Sequence, residues 1–228
     1  MRRLAHLSDL HFGTAAPETV EALLSDLVEF APDLIVITGD LTQRAREREF
    51  VEARGFLARL TCPCLVVPGN HDVASIYRPF SRLVAPFGGF RKQLGLELEA
   101  VYRDDEVLVV GLNTAEPFFW KEGSISEKQL AWVAEQSSNA ASSATGFRIV
   151  AAHHPLRTTR MARLLPAFDP AYVAERLTYA GVQLCLSGHL HRSGTTSFPD
   201  GFAEPSFILS VGAATATSRR LRGENNSY

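Results

Sequence analysis

Leu34-Ile35-Val36-Ile37-Thr38-Gly39-Asp40 puts four aliphatic residues in unbroken succession, closes them with threonine and turns through glycine onto a carboxylate. An apolar run this short and this β-branched, with no polar alternation, reads as a strand buried on both faces, as in sheets covered by helices. The same pattern recurs outward in both directions. Leu4-Ala5-His6-Leu7-Ser8 precedes it; Leu65-Val66-Val67, Val107-Leu108-Val109-Val110, Ile149-Val150-Ala151-Ala152 and Leu184-Cys185-Leu186-Ser187 follow, most of them ending in polar residues. Helical periodicity fills the gaps: Val20, Leu23, Leu24, Leu27 and Val28 share one face, and so do Phe50, Ala53, Phe56, Leu57 and Leu60. Ser126 with Gln129 forms a capping box that opens a helix through Leu130 and Val133, and Val173, Leu177 and Ala180 mark another. Alternation of strand and helix predicts a layered α/β sandwich. Residues 193–198 and 207–211 read as strands with no helix between them, so part of the sheet is expected to be antiparallel.

Composition narrows the class. The chain has 228 residues, 46% hydrophobic and 21% charged, with a formal net charge of -2 and a pI near 6.4. These values predict one soluble domain over 1–228, with 219–228 an extended or incomplete tail. No internal repeat or linker divides it. Periodic apolar blocks exclude disorder for most of the length. No apolar run approaches the ~20 residues needed to span a bilayer. The basic start Met1-Arg2-Arg3 soon meets polar Ser8, Asp9 and His11, which breaks a signal-peptide core. A cytoplasmic protein without a membrane partner is expected. Arg supplies 20 of the 23 basic residues, a bias that reflects base composition more readily than phosphate recognition. The acidic balance, with no basic run longer than Arg219-Arg220-Leu221-Arg222, argues against a stable nucleic-acid partner, while homo-oligomerisation stays open. Cys62, Cys64 and Cys185 read as small buried hydrophobes in a reducing compartment. Residues 137–146 read as a Ser/Ala-rich surface loop, and 73–89, rich in Pro, Gly and Phe, show no readable period.

Chemistry gathers where these strands end. Six of the seven histidines fall in short polar clusters: Asp9-Leu10-His11, Gly69-Asn70-His71-Asp72, His153-His154-Pro155 and Gly188-His189-Leu190-His191, with Gly39-Asp40 a fifth cluster. The carboxyl ends of strands in an open α/β sheet form the crevice where ligands bind, so clusters remote in sequence converge there. Side chains two residues apart on extended backbone point the same way, which lets Asp9 and His11, or His189 and His191, grip one ion together. Carboxylate, imidazole and amide oxygen without thiolate suit borderline-hard divalent ions such as Mn, Fe or Zn. Asp9, His11, Asp40, Asn70, His153, His189 and His191 are too many for one ion. With a shared carboxylate they fit two ions ~3.5–4 Å apart, an arrangement that clamps a phosphoryl group and creates a bridging hydroxide. Glycines before Asp40, Asn70 and His189 are expected to make sharp turns that aim the next side chain inward.

The ordered set DxH, GD, GNHD, HxP and GHxH, from Asp9 to His191, resembles the calcineurin-like metallophosphoesterase superfamily. The resemblance implies a four-layer α/β/β/α sandwich, two mixed sheets packed face to face between helices, with a binuclear centre. One metal would take Asp9, His11, Asp40 and His191; the other would take Asp40, Asn70, His153 and His189; Asp40 would bridge them. His71 would lie just outside the coordination sphere, oriented by Asp72. The opening Ser8-Asp9-Leu10-His11-Phe12-Gly13 and the cluster His153-His154-Pro155 are most similar to bacterial class III cyclic-nucleotide phosphodiesterases. Such proteins usually continue past the Arg-rich segment into further strands. Either the natural protein is longer than this chain, or one sheet edge is built differently.

Blander readings stand beside these. Each metal-site residue could individually be a strand-end cap, and Asp40 before Leu41 and Thr42 could start a helix. His71, between Asn70 and Asp72, reads as a general acid rather than a surface imidazole. His154 is either structural or in contact with substrate, and His6, inside a strand, is a satisfied sheet residue. Arg157 and Arg160 could reach a phosphate or base, or be solvated. Phe80, Phe87 and Phe90 could wall the pocket or pack beneath a loop. The resulting expectation is a phosphodiesterase acting on cyclic nucleotides or other small phosphodiesters, with Asn70, His71, His154 and Arg157 binding substrate. Phosphomonoesterase or nucleotide pyrophosphatase activity at the same site, a DNA-repair nuclease, and a metal-free scaffold of the same fold are the alternatives.

Overall fold

A computed structural model of the chain describes residues 2–118, 123–141, 146–155, 170–191, 194–197 and 208–211. Strands β1 (Leu4–Leu7), β2 (Leu34–Thr38) and β3 (Cys64–Val67) form a parallel sheet in that order, Leu4 opposite Leu34 and Ile35 opposite Cys64. They are connected by helices α1 (Pro17–Phe30) and α2 (Glu47–Leu57). Two crossovers of the same hand, stepping in one direction, must put both helices on one face of the sheet. A second, six-stranded sheet has the order β4 (Ala100–Arg103), β5 (Val107–Leu112), β6 (Phe147–Ala152), β7 (Leu184–Ser187), β9 (Ile208–Val211), β8 (Gly194–Ser197). It is mixed: β5, β6, β7 and β9 run parallel, and the outer pairs β4–β5 and β8–β9 are antiparallel. The described strands of the first sheet are all parallel.

Period-two alternation sorts the strand residues into three apolar layers. Ile35, Ile37, Leu7 and Val66 face α1 and α2, packing on Leu23, Leu24, Leu27, Phe50, Ala53 and Phe56. Their neighbours Leu34, Val36, Leu65 and Val67 face the second sheet and meet Val107, Val109, Ile149 and Ala151. Leu108, Val110, Leu112 and Val150 look outward to α5 (Glu127–Ala141) and α6 (Pro170–Tyr179), onto Leu130, Val133, Val173 and Leu177. The result is a four-layer α/β/β/α sandwich whose strands are buried on both faces, as their unbroken apolar runs require.

Local signals work as read at several places. The Ser126 backbone N–H donates to Gln129 Oε1 at 2.8 Å, and the Gln129 N–H donates back to Ser126 Oγ at 3.3 Å, so the capping box that starts α5 is real. Pro17 opens α1, and Ala31 closes it with φ 47, its N–H on Leu27 O. Other readings change. The stretch 137–146 is helical as far as Ala141, because alanine favours helix; Ser138 is accommodated within it by turning its Oγ back to Ala134 O at 2.9 Å, and residues 142–145 lie outside the described set. The unreadable segment after Asp72 holds two short helices, α3 (Pro79–Val84) and α4 (Gly88–Leu94), and β4 follows. Phe87 and Phe90 are buried against the first sheet's helix layer, whereas Phe80 is 77% exposed. Arg157, Arg160 and the tail 219–228 lie outside the described residues.

Candidate metal centre

Each strand on which the reading relied delivers its polar cluster to the same end of the two sheets. Past β1 the chain zips onto the loop after β2: the N–H groups of Asp9, His11 and Phe12 donate to the carbonyls of Gly39, Asp40 and Leu41 at 3.0, 2.9 and 2.7 Å. A buried carboxylate, Asp72, ties the β2 and β3 loops. It accepts from Gly69 N, Leu41 N, Thr42 N and Thr42 Oγ1 at 2.9–3.2 Å, enough donors to satisfy an ionised group. Within the second sheet, Gly188 N donates to His153 O at 3.0 Å, joining the ends of β6 and β7, and His189 N crosses between the sheets to Asp9 Oδ2 at 3.0 Å.

Turning the donors inward requires unusual backbone. Asp9, His11, Asp40, His189 and His191 all adopt left-handed conformations, with φ between 48° and 70°. Gly39, at φ 84, makes the turn expected of it. Gly69 does not, its φ being −109. There, and at Gly188, the missing Cβ matters through space: a Cβ at 69 would overlap Asp40, and one at 188 would overlap Ser8 Oγ and Asp9 Oδ2.

The side-chain atoms converge as two sets with one shared member. In the first, His11 Nε2 and His191 Nε2 are 3.1 Å apart, Asp9 Oδ1 is 3.3 Å from His191 Nε2, and Asp40 Oδ2 is 3.7 Å from His11 Nε2. In the second, Asn70 Oδ1 is 3.0 Å from both His153 Nε2 and His189 Nδ1, which are 3.2 Å apart. Asp40 Oδ2 reaches this set too, at 3.4 Å from His153 Nε2. All seven residues expected as ligands are therefore brought together, and Asp40 Oδ2 stands between the groups. Metal–nitrogen bonds of about 2.1 Å imply donor–donor edges of about 3.0–3.4 Å, so lone pairs spaced like this fit an ion at the centre of each set. His153 shows the supporting contact such ligands need: its Nδ1–H donates to Thr38 O at 2.8 Å, which aims Nε2 at the cluster.

Electrostatics point the same way. Burial opposes charge on Asp40, yet His153, His11 and His71 around it hold its carboxyl well below the usual range. Asp9 is likewise lowered, by His191 and His153 against its own burial. Burial pushes His11 and His189 down to about 4, keeping both neutral. His153 differs, since burial is outweighed by Asp40 and Asp9 and it rises to about 9. Two ionised carboxylates beside the neutral imidazoles of His11 and His189 form a nest for cations.

His71 sits beside the first set. Its ring meets His11 edge-on, centroids 4.8 Å apart, and its Nδ1 faces Gln43 O at 2.7 Å. Asp72, expected to orient this ring, places its carboxylate on the loop backbones instead. His154 is buried, with Nδ1 2.8 Å from Thr114 Oγ1, and His6 bonds Thr38 Oγ1 at 2.8 Å. Sequence reading had no means of finding Gln43 and Thr38, because both act through their main-chain carbonyls. Thr114 carried no motif.

Solved structures that share the fold include a dimetal phosphatase from Danio rerio (TM-score 0.67, 13% identity, 93% of this chain and 87% of that one) and a purple acid phosphatase from yellow lupin (TM-score 0.67, 13% identity, 92% and 43%). Residues 2–193 match the profile of the calcineurin-like phosphoesterases, and the chain belongs to that family. It is 31% identical over 212 residues to a cAMP/cGMP dual specificity phosphodiesterase of Mycobacterium tuberculosis, covering 86% of this chain. It is 28% identical to a probable cyclic nucleotide phosphodiesterase of Rhodococcus erythropolis, again over 86% of this chain. A glycerophosphodiester phosphodiesterase of Enterobacter lignolyticus is 30% identical over 67% of this chain and 56% of its own length. The chain spans 63% and 66% of the length of the first two.

Proposed function

We propose that the chain is a binuclear metal-dependent phosphoesterase that hydrolyses small phosphodiesters, cyclic nucleotides among them. The observation that carries this reading is the position of Asp40 Oδ2, 3.7 Å from a nitrogen of one donor set and 3.4 Å from a nitrogen of the other. Asp9, His11, Asp40 and His191 hold one ion, and Asp40, Asn70, His153 and His189 the other; Mn or Fe is favoured and Zn fits the same donors. When bound, two such ions neutralise phosphoryl oxygens and lower the pKa of water enough to supply the nucleophile. The chain's own groups do the rest. Asn70, besides ligating, offers its amide N–H to a non-bridging oxygen. His71, with Nδ1–H held on Gln43 O, keeps Nε2 to carry the proton that the leaving oxygen takes. Asp72 positions both by bracing the loops on which they sit. Arg157 is a candidate substrate contact on sequence grounds alone.

The same reading takes residues 1–228 as a single domain in the cytoplasm, with a small phosphoester as partner. Cys62, Cys64 and Cys185 are free thiols, in keeping with a reducing compartment. Among the described residues, no helix is long and apolar enough to cross a membrane. The decisive test compares bis(nitrophenyl) phosphate with nitrophenyl phosphate on Mn-loaded protein at neutral pH, followed by a panel of cyclic nucleotides and nucleotide pyrophosphates. A diester carries one charge, which two metals with Asn70 and His71 can meet, so kcat/KM should favour the diester. Preference for the monoester would replace the diesterase assignment with a monoesterase. No hydrolysis of any phosphoester by protein holding two metals would end the enzymatic reading.

A further inference from the structure

His154 lies outside the seven-residue donor set, yet it is built into the same end of the molecule. Its side chain is 3% exposed. The ring stands edge-on to His153, centroids 4.9 Å apart, and tilted against His189 at 4.7 Å. One of its ring nitrogens lies within 4.8 Å of a ring nitrogen of each. Its place is fixed from behind: a Cβ on Gly123 would overlap the imidazole, so that position has to be glycine for the ring to sit where it does. Thr114 Oγ1 takes the His154 backbone N–H at 3.2 Å and faces the ring Nδ1 at 2.8 Å.

The remaining nitrogen, Nε2, is buried and has no hydrogen-bond partner among the described residues. A buried polar atom left like this costs about 1–3 kcal/mol unless something meets it. With Nδ1–H donating to Thr114 Oγ1, Nε2 presents a lone pair, and a braced imidazole with a free lone pair is what a metal ligand looks like before its ion arrives. Around an ion with bonds of about 2.1 Å, trans donors stand about 4.2 Å apart and cis donors about 3.0 Å; His153 and His189, 3.2 Å apart, are cis to one another, so His154 would stand trans to one of them and its ring must swing towards the other as the ion arrives. We propose that His154 is an auxiliary donor to the second metal position, adding a nitrogen to His153, His189, Asn70 and the shared Asp40. The added imidazole shifts this one position towards nitrogen-preferring ions such as Fe or Zn and away from Mn, which the first position keeps. The inference rests on the binuclear reading and specifies the chemistry of one of its two positions.

The test is metal binding, read by isothermal titration with Zn and Mn and by the visible spectrum of the Co-substituted protein. It uses the wild type, His154→Gln, which can keep the bond to Thr114 but removes the nitrogen donor, and Thr114→Val, which removes the brace. The wild type should take up two ions per chain. His154→Gln should bind one of the two Zn ions about 10–100-fold less tightly, leave the other unchanged, alter the Co spectrum and narrow the preference for Zn over Mn at the affected step. Thr114→Val should move the same step in the same direction by less. Should His154→Gln fail to fold, as judged by far-UV circular dichroism of the apo form, Thr114→Val decides the matter alone. Two ions bound by the variants with wild-type affinities and an unchanged Co spectrum would overturn the proposal, and a raised KM alongside would place His154 at the substrate instead. A wild type that binds fewer than two ions would overturn the binuclear reading itself.

Discussion

At the scale of single residues, the site is made by five non-glycine side chains in the left-handed region, a conformation that costs on the order of 1 kcal/mol or more apiece. Asp40 carries the most, being shared. Asp40→Asn removes the charge that two cations need, so metal analysis should find at least one ion lost and hydrolysis abolished; full activity would refute the bridging role. His71→Ala should keep both ions while turnover falls by roughly 10²–10⁴, more on cyclic nucleotides than on nitrophenyl esters, whose leaving group departs without a proton. Equal losses on both would remove His71 from the acid role. His6 makes a pH argument. Burial pushes it down to about 4 from 6.5, so between those values the unfolded chain binds a proton that the folded chain refuses. Its contribution to stability is therefore complete above pH 6.5 and lost as pH falls towards 4. The difference in urea midpoint of the apo protein between pH 7.0 and 4.5 should shrink in His6→Gln; an unchanged difference would show that His6 is not part of the acid response. Of these residues the donors were readable in the sequence, since each ends an apolar run. The bond from His71 to Gln43 O was not, because a carbonyl belongs to every residue.

Among the elements, those with a strong period and explicit punctuation were legible, while α3, α4 and β4 were not. Six or seven residues of helix complete no pattern, and β4 alternates half-buried with exposed positions on an outer strand. Tertiary burial of Phe87 and Phe90, rather than local propensity, holds that segment in place. Where punctuation is explicit, its value can be measured. Ser126→Ala should cost about 1 kcal/mol in chemical denaturation and leave metal content unchanged. Gly188→Ala is the opposite case. A methyl group there meets Ser8 and Asp9 where β7 ends against β1, so stability should fall by about 1–3 kcal/mol and the ion held by Asp9 should bind more weakly. Wild-type stability with both ions retained would mean that the two strand ends separate freely.

For the molecule as a whole, strands buried on both faces followed from the unbroken apolar runs, whereas the four-layer order with two sheets face to face was implied by the family resemblance. Which of two alternating faces meets helices and which meets strands is decided only by assembly. Because seven donors come from loops on both sheets, an ion binds the folded chain far better than the unfolded one. Saturation at 100 times the Kd should add about 2.7 kcal/mol per ion, visible as a rise in Tm that a chelator reverses. No such rise would mean that the donors do not act together. Strand β2 has a partner on each edge and an apolar layer on each face. Its amide hydrogens can therefore reach deuterated water only when the whole sandwich comes apart, and they should be among the slowest in the protein to exchange. Since Asp40 follows directly from β2, loading the site with metal should slow that clock in step with the gain in global stability, so that the amides beneath the centre keep time for the fold.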